Sequence, residues 1–326
     1  MRAAIVYNKS DHKLQPSAYS WSYRCMFLSL FDRFEQTIPI NEDCHADAIQ
    51  ADVIIFFDPH SSHHINIEGI ENHPAIKIEY FNDPHQIEFK GRYTNGDEVH
   101  KLSAAQRVKR AIDRGVEYII SPYKQGYYDY IAKHINVTGK DAEDMLLYFP
   151  TSPDSSLYEN GRNTLAKRKP QILGNGATWS SRLKCYEFRQ WAFKQDCVRV
   201  REHHHRDKST PMGCDYGNLL AEYAGALALC EFYPVPKYCE IPLAGCVCFA
   251  QYHKEYEQLG FIDGVNCIYV DKNNFVKHAK DFLANPFIYQ PIADAGRRLV
   301  LSKYTSNHFA DYVYKFTESA IVAGVK

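Results

Sequence analysis

The sequence predicts an α/β protein of two domains, each a parallel sheet packed with helices, followed by a helical tail. Three observations lead there. The chain has 326 residues, and single cores stop growing near roughly 250 residues, so a chain of this length divides. Short apolar runs of strand length alternate with longer segments of helical period in both halves, which is the signature of βα units. A polar stretch, TSPDSSLYENGRNTLAKRKP at 151–170, separates two blocks of the same style, and its Pro, Gly, Asn and Ser content marks a loop or linker. The expected domains are 1–165 and 166–326, with the last helix available to pack back on the first.

In the first block the expected strands are 3–7, 52–57, 75–81, 116–121 and 146–149. Between them 19–34 and 103–114 read as amphipathic helices, the second closed by Gly115 just past its end. The second block begins with a strand at 171–174 running into GNG, then a helix at 181–194, a strand at 198–200 and a helix at 216–223. Strands follow at 226–230, 246–250 and 267–270, with a helix at 235–243 between the first two. From Asn274 the pattern is helical to the end, broken at Pro286, Pro291 and around Tyr304. Both blocks are thus Rossmann-like. Open parallel sheets bind ligands beyond the carboxyl ends of their strands, and two facing domains would place those ends in one shared cleft.

Composition narrows the function. With 38 Lys+Arg against 39 Asp+Glu the net charge is -1, which excludes a general nucleic-acid binder or a polybasic membrane surface as partner class. The opening MRAAIVYNK is neither a signal nor a transit peptide, and no apolar run approaches the roughly 20 residues that span a bilayer, so a cytoplasmic location is expected. Ten Cys without a secretion signal are expected to stay reduced, several inside apolar runs. Cys246 and Cys248 could share a strand face, but two thiols are a poor zinc site, and three adjacent His at 203–205 point in different directions, so no metal is expected. The 24 Tyr and 18 Phe exceed core needs; clusters at 19–23, 80–81, 123–130 and 232–233 are candidate stacking platforms for sugar rings, shared with the core.

Two motifs bear chemistry. GNGATWSSRLK at 174–184 follows a strand and opens a helix. Gly174 and Gly176 would let backbone N–H groups approach a phosphate, with Arg182 or Lys184 completing the neutralisation; the same residues also suit a glycine-rich turn with basic residues on a solvated face. YPVPKYCEIPLAGCVCFA at 233–250 sets Lys237 and Glu240 three apart, on one face of a short helix. The carboxylate suits a ribose diol and the lysine a diphosphate, although an ordinary exposed pair has the same spacing.

From Asp215 to Asp271, with "VPKYCEIPLAG", "GFIDGVNCIYVD" and the tail "FVKHAKDFLANPFIYQPIADAGRRLVLSKYT", the chain resembles the donor-binding domain of GT-B glycosyltransferases of the CgeB-like, group 1 type, over roughly 170–310. The resemblance implies a GT-B fold and transfer of a sugar from a nucleotide-diphospho-sugar to a glycan or other hydroxyl acceptor, without metal or cofactor. It puts Glu240 at the second glutamate of the family's E-x7-E motif, on the ribose hydroxyls. The first would fall on Phe232, where this sequence has Glu231 one position earlier. Gly174, Gly176 and Arg182 fall in the region facing the donor diphosphate, Tyr233 to Val235 at the transferred sugar, and 212–216, ending at Tyr216, at the base. YFPTSPDSSLY at 148–158 resembles the closing strand and interdomain linker.

An inverting reaction needs a base on the acceptor hydroxyl. Candidates follow two strands: Asp58 and His60 in FFDPHSSHH, and Asp83 and His85 in YFNDPHQ, where Asp and Pro also serve ordinary turns. The polar, aromatic loop 82–100 is a candidate acceptor lid. Two alternatives stand beside the enzyme: a GT-B-like sugar- or nucleotide-binding protein that has lost catalysis, kept open by the displaced Glu231, and a nucleotide-sugar epimerase.

Overall fold

The computed structural model describes residues 1–11, 14, 21–57, 65–82, 103–176, 178, 186–201 and 211–324. Two compact units emerge. Unit 1 comprises Met1–Pro16, Phe27–Pro150 and Phe309–Lys326, and unit 2 comprises Ser17–Met26 and Thr151–His308. The boundary expected at 165 therefore lies inside unit 2.

Unit 1 carries strands β1 (Arg2–Val6), β2 (Gln36–Ile40), β3 (Cys44–His45), β4 (Val53–Phe56), β5 (Ile67–Glu68), β6 (Ile76–Tyr80), β7 (Tyr118–Ser121) and β8 (Leu146–Tyr148). Six form one sheet in the order β2-β1-β4-β6-β7-β8, and every pairing is parallel. Strands β4 and β6 are buried at every position, as a parallel sheet covered on both faces requires. The sequence reading omits β2. Its QTIPI holds Pro39, which cannot donate to a ladder and is tolerated here because, among the described residues, β2 is an edge strand paired with β1 alone, with Pro39 opposite Ile5. Helix α1 (Trp21–Arg33) runs from unit 2 into unit 1 along the chain, and α2 (Ala104–Asp113) opens on a capping box in which Ser103 and Gln106 bond each other's backbone N–H.

Unit 2 has the parallel sheet β10-β9-β11-β12-β13, made from β9 (Lys169–Asn175), β10 (Val198–Arg201), β11 (Tyr223–Ala228), β12 (Val247–Gln251) and β13 (Ile268–Val270). Its helices are α3 (Glu187–Ala192), α4 (Cys214–Ala221), α5 (Lys237–Leu243), α6 (Lys254–Gln258), α7 (Phe275–Ala284) and α8 (Gln290–Lys303), and α9 (Ser306–Val322) continues into unit 1 from Phe309. The strand expected at 226–230 starts earlier, at Tyr223, and shortens the helix before it. Register explains the shift: Tyr223 pairs with Lys169, whose N–H donates to the carbonyl of Glu222 at 2.7 Å. The sequence YAGALA is a poor strand former, yet all six residues are buried, so burial overrides propensity.

Two expectations are sharpened by the fold. The stretch at 151–170 is a packed part of unit 2, folded as 3-10 turns at Ser155–Arg162 and Leu165–Lys167. Buried Tyr158 and Leu165 anchor it, and the buried Arg168 guanidinium donates to the carbonyls of Gly161, Asn163, Tyr223 and Ala244. The rings of Tyr23, Tyr80, Phe81, Tyr123 and Tyr127 are core rather than platforms; Tyr80 stacks on Phe57 at 4.5 Å. Rings of this size contribute most when removed from water. Phe232 alone of the named rings in the described residues keeps substantial exposure, 36%.

Candidate functional site

The polar residues of unit 2 gather at the carboxyl ends of β9, β11 and β12. Strand β9 ends in Asn175, and Gly176 follows with φ at 124°. A side chain at Gly176 would be strained by that backbone and would meet Lys237 Cε at 3.2 Å and Arg189 Nη1 at 3.3 Å. Glycine thus brings the backbone against two cations. Gly174 has another role, since a Cβ there would lie 2.7 Å from Val198 and 2.8 Å from Phe193; it lets β10 and the end of α3 close onto β9.

Lys237 is the first residue of α5, entered through Pro234 and Pro236. Its Nζ donates to Asn175 Oδ1 at 3.0 Å and to the Tyr216 hydroxyl at 2.8 Å, and stands 4.8 Å from the Tyr216 ring centroid. Burial pushes the ammonium down to about 7; Glu240 opposes this and Arg189 adds to it. Glu240, one turn along α5, is 6% exposed. Its Oε1 accepts from Ser22 Oγ at 2.6 Å. Burial raises this carboxyl, against the pull of Lys237 and the Ser22 bond. Burial likewise holds the Tyr216 hydroxyl well above its ordinary range, so it stays neutral.

Glu231 lies beyond the end of β11. Its Oε1 accepts from the N–H of Phe188, in the first turn of α3, at 2.6 Å, while Oε2 is buried and has no hydrogen-bond partner among the described residues; burial raises this carboxyl too. Tyr233 is buried and Val235 half-buried, its carbonyl accepting from Tyr238 at 2.9 Å. The fold therefore gathers Gly176, Tyr216, Lys237 and Glu240 among the residues the sequence singles out. Arg182, Lys184, Asp58, His60, Asp83, His85, the loop 83–100 and His203 to His205 lie outside the described residues.

Four neighbours escape the sequence reading. Arg189 is buried, donates to the carbonyl of Leu229 and stacks 4.1 Å from the Tyr186 ring centroid. His253, after β12, bonds the carbonyl of Cys230 at 2.7 Å, and burial lowers its imidazole, favouring the neutral ring. Asn175 stands between the two glycines of GNG, a signal that could have found it. Ser22 has none, being 218 residues from its partner. Among the described residues no group of three His, Cys, Asp or Glu could hold a metal ion, and no helix is long and apolar enough to cross a membrane.

Residues 162–315 match a family model described as glycosyl transferase-like. No curated protein sequence matches the chain. Among solved structures, an alpha-glucosyltransferase in complex with UDP-glucose and DNA containing an abasic site aligns with a TM-score of 0.58 at 9% identity, over 98% of this chain and 99% of that one. Alr3699/HepE of Anabaena in complex with UDP aligns at 0.56 and 9% identity, over 98% of this chain and 100% of that one. The fold is GT-B. Against the longer chain matched in the GtfA/B complex, this chain spans 58% of the length at 12% identity and a TM-score of 0.48. In this GT-B chain the family match begins at Arg162 and contains the whole Asn175, Tyr216, Lys237 and Glu240 cluster; of the described site residues only Ser22 lies outside it.

Proposed function

We propose that the chain is a metal-independent glycosyltransferase, of the CgeB-like type, that moves a sugar from a nucleotide-diphospho-sugar to a hydroxyl acceptor in the cytoplasm, unit 2 taking the donor and unit 1 the acceptor. The observation that carries this is the half-buried Lys237 and buried Glu240 on one helix at the carboxyl edge of the second sheet, beside Gly176, inside the stretch that is glycosyl transferase-like. Two structural neighbours are complexes with UDP and UDP-glucose.

Chemistry fits the residues. As the bond from the anomeric carbon to the leaving diphosphate breaks, negative charge grows on the phosphate oxygen and positive charge on the sugar ring. Lys237 meets the phosphate charge in a site of low dielectric, where a fixed cation counts for more than in water, and the sequence offers Arg182 or Lys184 to complete the neutralisation. Glu240 receives the ribose hydroxyls. The acceptor oxygen forms the new bond to the anomeric carbon, and its proton passes to a base, for which Asp58, His60, Asp83 and His85 are the candidates. Tyr216 borders the nucleoside, and Tyr233 and Val235 the transferred sugar.

A second reading, binding of a nucleotide sugar without transfer, is favoured by one observation: Glu231 is committed to the first turn of α3 through Phe188. Calorimetric titration with UDP, GDP, ADP and TDP is expected to find one diphosphate that binds below millimolar concentration, and a blank for all four sinks the donor site. Release of that diphosphate from its sugar conjugates by the purified protein, abolished in Glu240→Ala, separates transfer from binding alone.

A further inference from the structure

The first turns of α1 are built into unit 2 from a part of the chain far from the rest of it. Trp21 packs its ring against Gly213, where an added Cβ would come within 3.2 Å of the indole. Met26 Sδ accepts from the N–H of Ser152 at 3.2 Å. Between these anchors Ser22, 1% exposed, directs its hydroxyl at Glu240 Oε1. A serine in the first turn of a helix ordinarily satisfies a local backbone N–H; this one reaches a carboxylate instead.

We propose that Ser22 is a positioning residue for nucleotide recognition: its hydroxyl holds the Glu240 carboxylate ionised and in one rotamer, with Oε2 presented to the ribose diol of the donor. This rests on the reading of unit 2 as the donor site. Three observations support it. The bond is short, at 2.6 Å, as charge-assisted O–H to carboxylate bonds are. Ser22 is the side chain that bonds this carboxylate among the described residues, so Oε2 keeps its acceptor capacity. Lys237, the nearest cation along α5, has its Nζ directed to Asn175 and Tyr216 instead of at Glu240. A buried carboxylate with no donor would take a proton or rotate, and a diol, which needs an oriented acceptor, would lose its partner.

The test compares the ribonucleoside diphosphate bound most tightly among UDP, GDP and ADP with its 2′-deoxy counterpart and with inorganic pyrophosphate, by calorimetry. Wild type is expected to prefer ribose by about tenfold or more, a difference of roughly 1.4 kcal/mol. Ser22→Ala and Glu240→Gln should each bring the two nucleotides within about threefold while leaving pyrophosphate binding within twofold. The equal-volume pair Ser22→Thr and Ser22→Val guards against a folding defect: Thr should keep the preference and Val should lose it. If Ser22→Ala and Ser22→Val retain the wild-type preference while Glu240→Gln loses it, the donor site stands and the role of Ser22 falls. A uniform loss for pyrophosphate and both nucleotides would make Ser22 merely structural and also overturn the proposal. If wild type binds none of the three diphosphates, the donor reading itself fails and takes this role with it.

Discussion

A lysine whose ammonium burial has pushed down to about 7 from an ordinary 10.5 makes pH a direct probe of the site. Between those values the unfolded chain holds a proton on Lys237 that the folded chain has lost, so this residue's contribution makes stability rise with pH across that window; below about 7 the cost of burying the charge is present in full. Glu240 runs the other way. Its raised carboxyl keeps a proton in the folded chain above the ordinary 4.5, so its contribution falls as pH climbs through the interval between 4.5 and the raised value. On the proposed donor reading, a bound diphosphate would reverse the balance at Lys237, because an anion favours the ammonium. At pH 8, where the phosphates are already ionised, nucleoside diphosphate binding should take up roughly one proton, read from calorimetry in buffers of different ionisation enthalpy. Lys237→Met should abolish the uptake and weaken the diphosphate about 10- to 100-fold, as loss of a charged hydrogen bond worth roughly 1.5–3 kcal/mol implies. Equal uptake in wild type and variant would remove Lys237 from the phosphate. At this scale the sequence placed Lys237 and Glu240 on one short helix by their spacing, and passed over Arg189 and His253, whose contacts are to carbonyls that only the fold brings near.

Among the elements, α4 shows packing and propensity pulling in opposite directions. Gly217 sits inside this helix, where alanine would ordinarily gain about 1 kcal/mol. An added Cβ, however, would come within 2.0 Å of the carbonyl oxygen of Leu157 in the 3-10 turn packed against α4, and backbone does not yield as a side-chain tip does. Gly217→Ala is therefore expected to destabilise by roughly 1–3 kcal/mol, read as a lower denaturation midpoint at unchanged slope; a rise in midpoint would refute the packing. By sequence the turn reads as loop or linker because Pro, Gly, Asn and Ser are loop-like locally, whereas in the fold Tyr158, Leu165 and Arg168 are buried. The opposite holds for α2, whose Ser103 and Gln106 cap and closing Gly115 are signals lying within a dozen residues. Strand β2 escaped because Pro39 is tolerated only at a sheet edge, and edges are a property of strand order.

The whole molecule divides into two units, each built on one large parallel sheet, and the donor reading makes different predictions for the two. With the tightest-binding nucleoside diphosphate at about 100 times its Kd, stabilisation near 2.7 kcal/mol is expected. Amide exchange should slow after β9, β11 and β12 and in the first turns of α1, and stay unchanged in β4 and β6 of unit 1. Protection confined to unit 1 would place the nucleotide elsewhere. By itself the sequence determined the α/β alternation, the presence of two blocks and the Lys237 and Glu240 helix. Periodicity, caps and the apolar runs of parallel strands are local and survive in a one-dimensional reading. Tertiary structure alone decided that Asn175 accepts from Lys237 across 62 residues and that Glu240 accepts from Ser22 across 218. It also decided that the polar stretch at 151–170 is packed and that most of the conspicuous rings are core. The physical reason is one and the same: a hydrogen bond or a buried ring between distant residues depends on the order and register in which strands pair, and no short segment encodes that order.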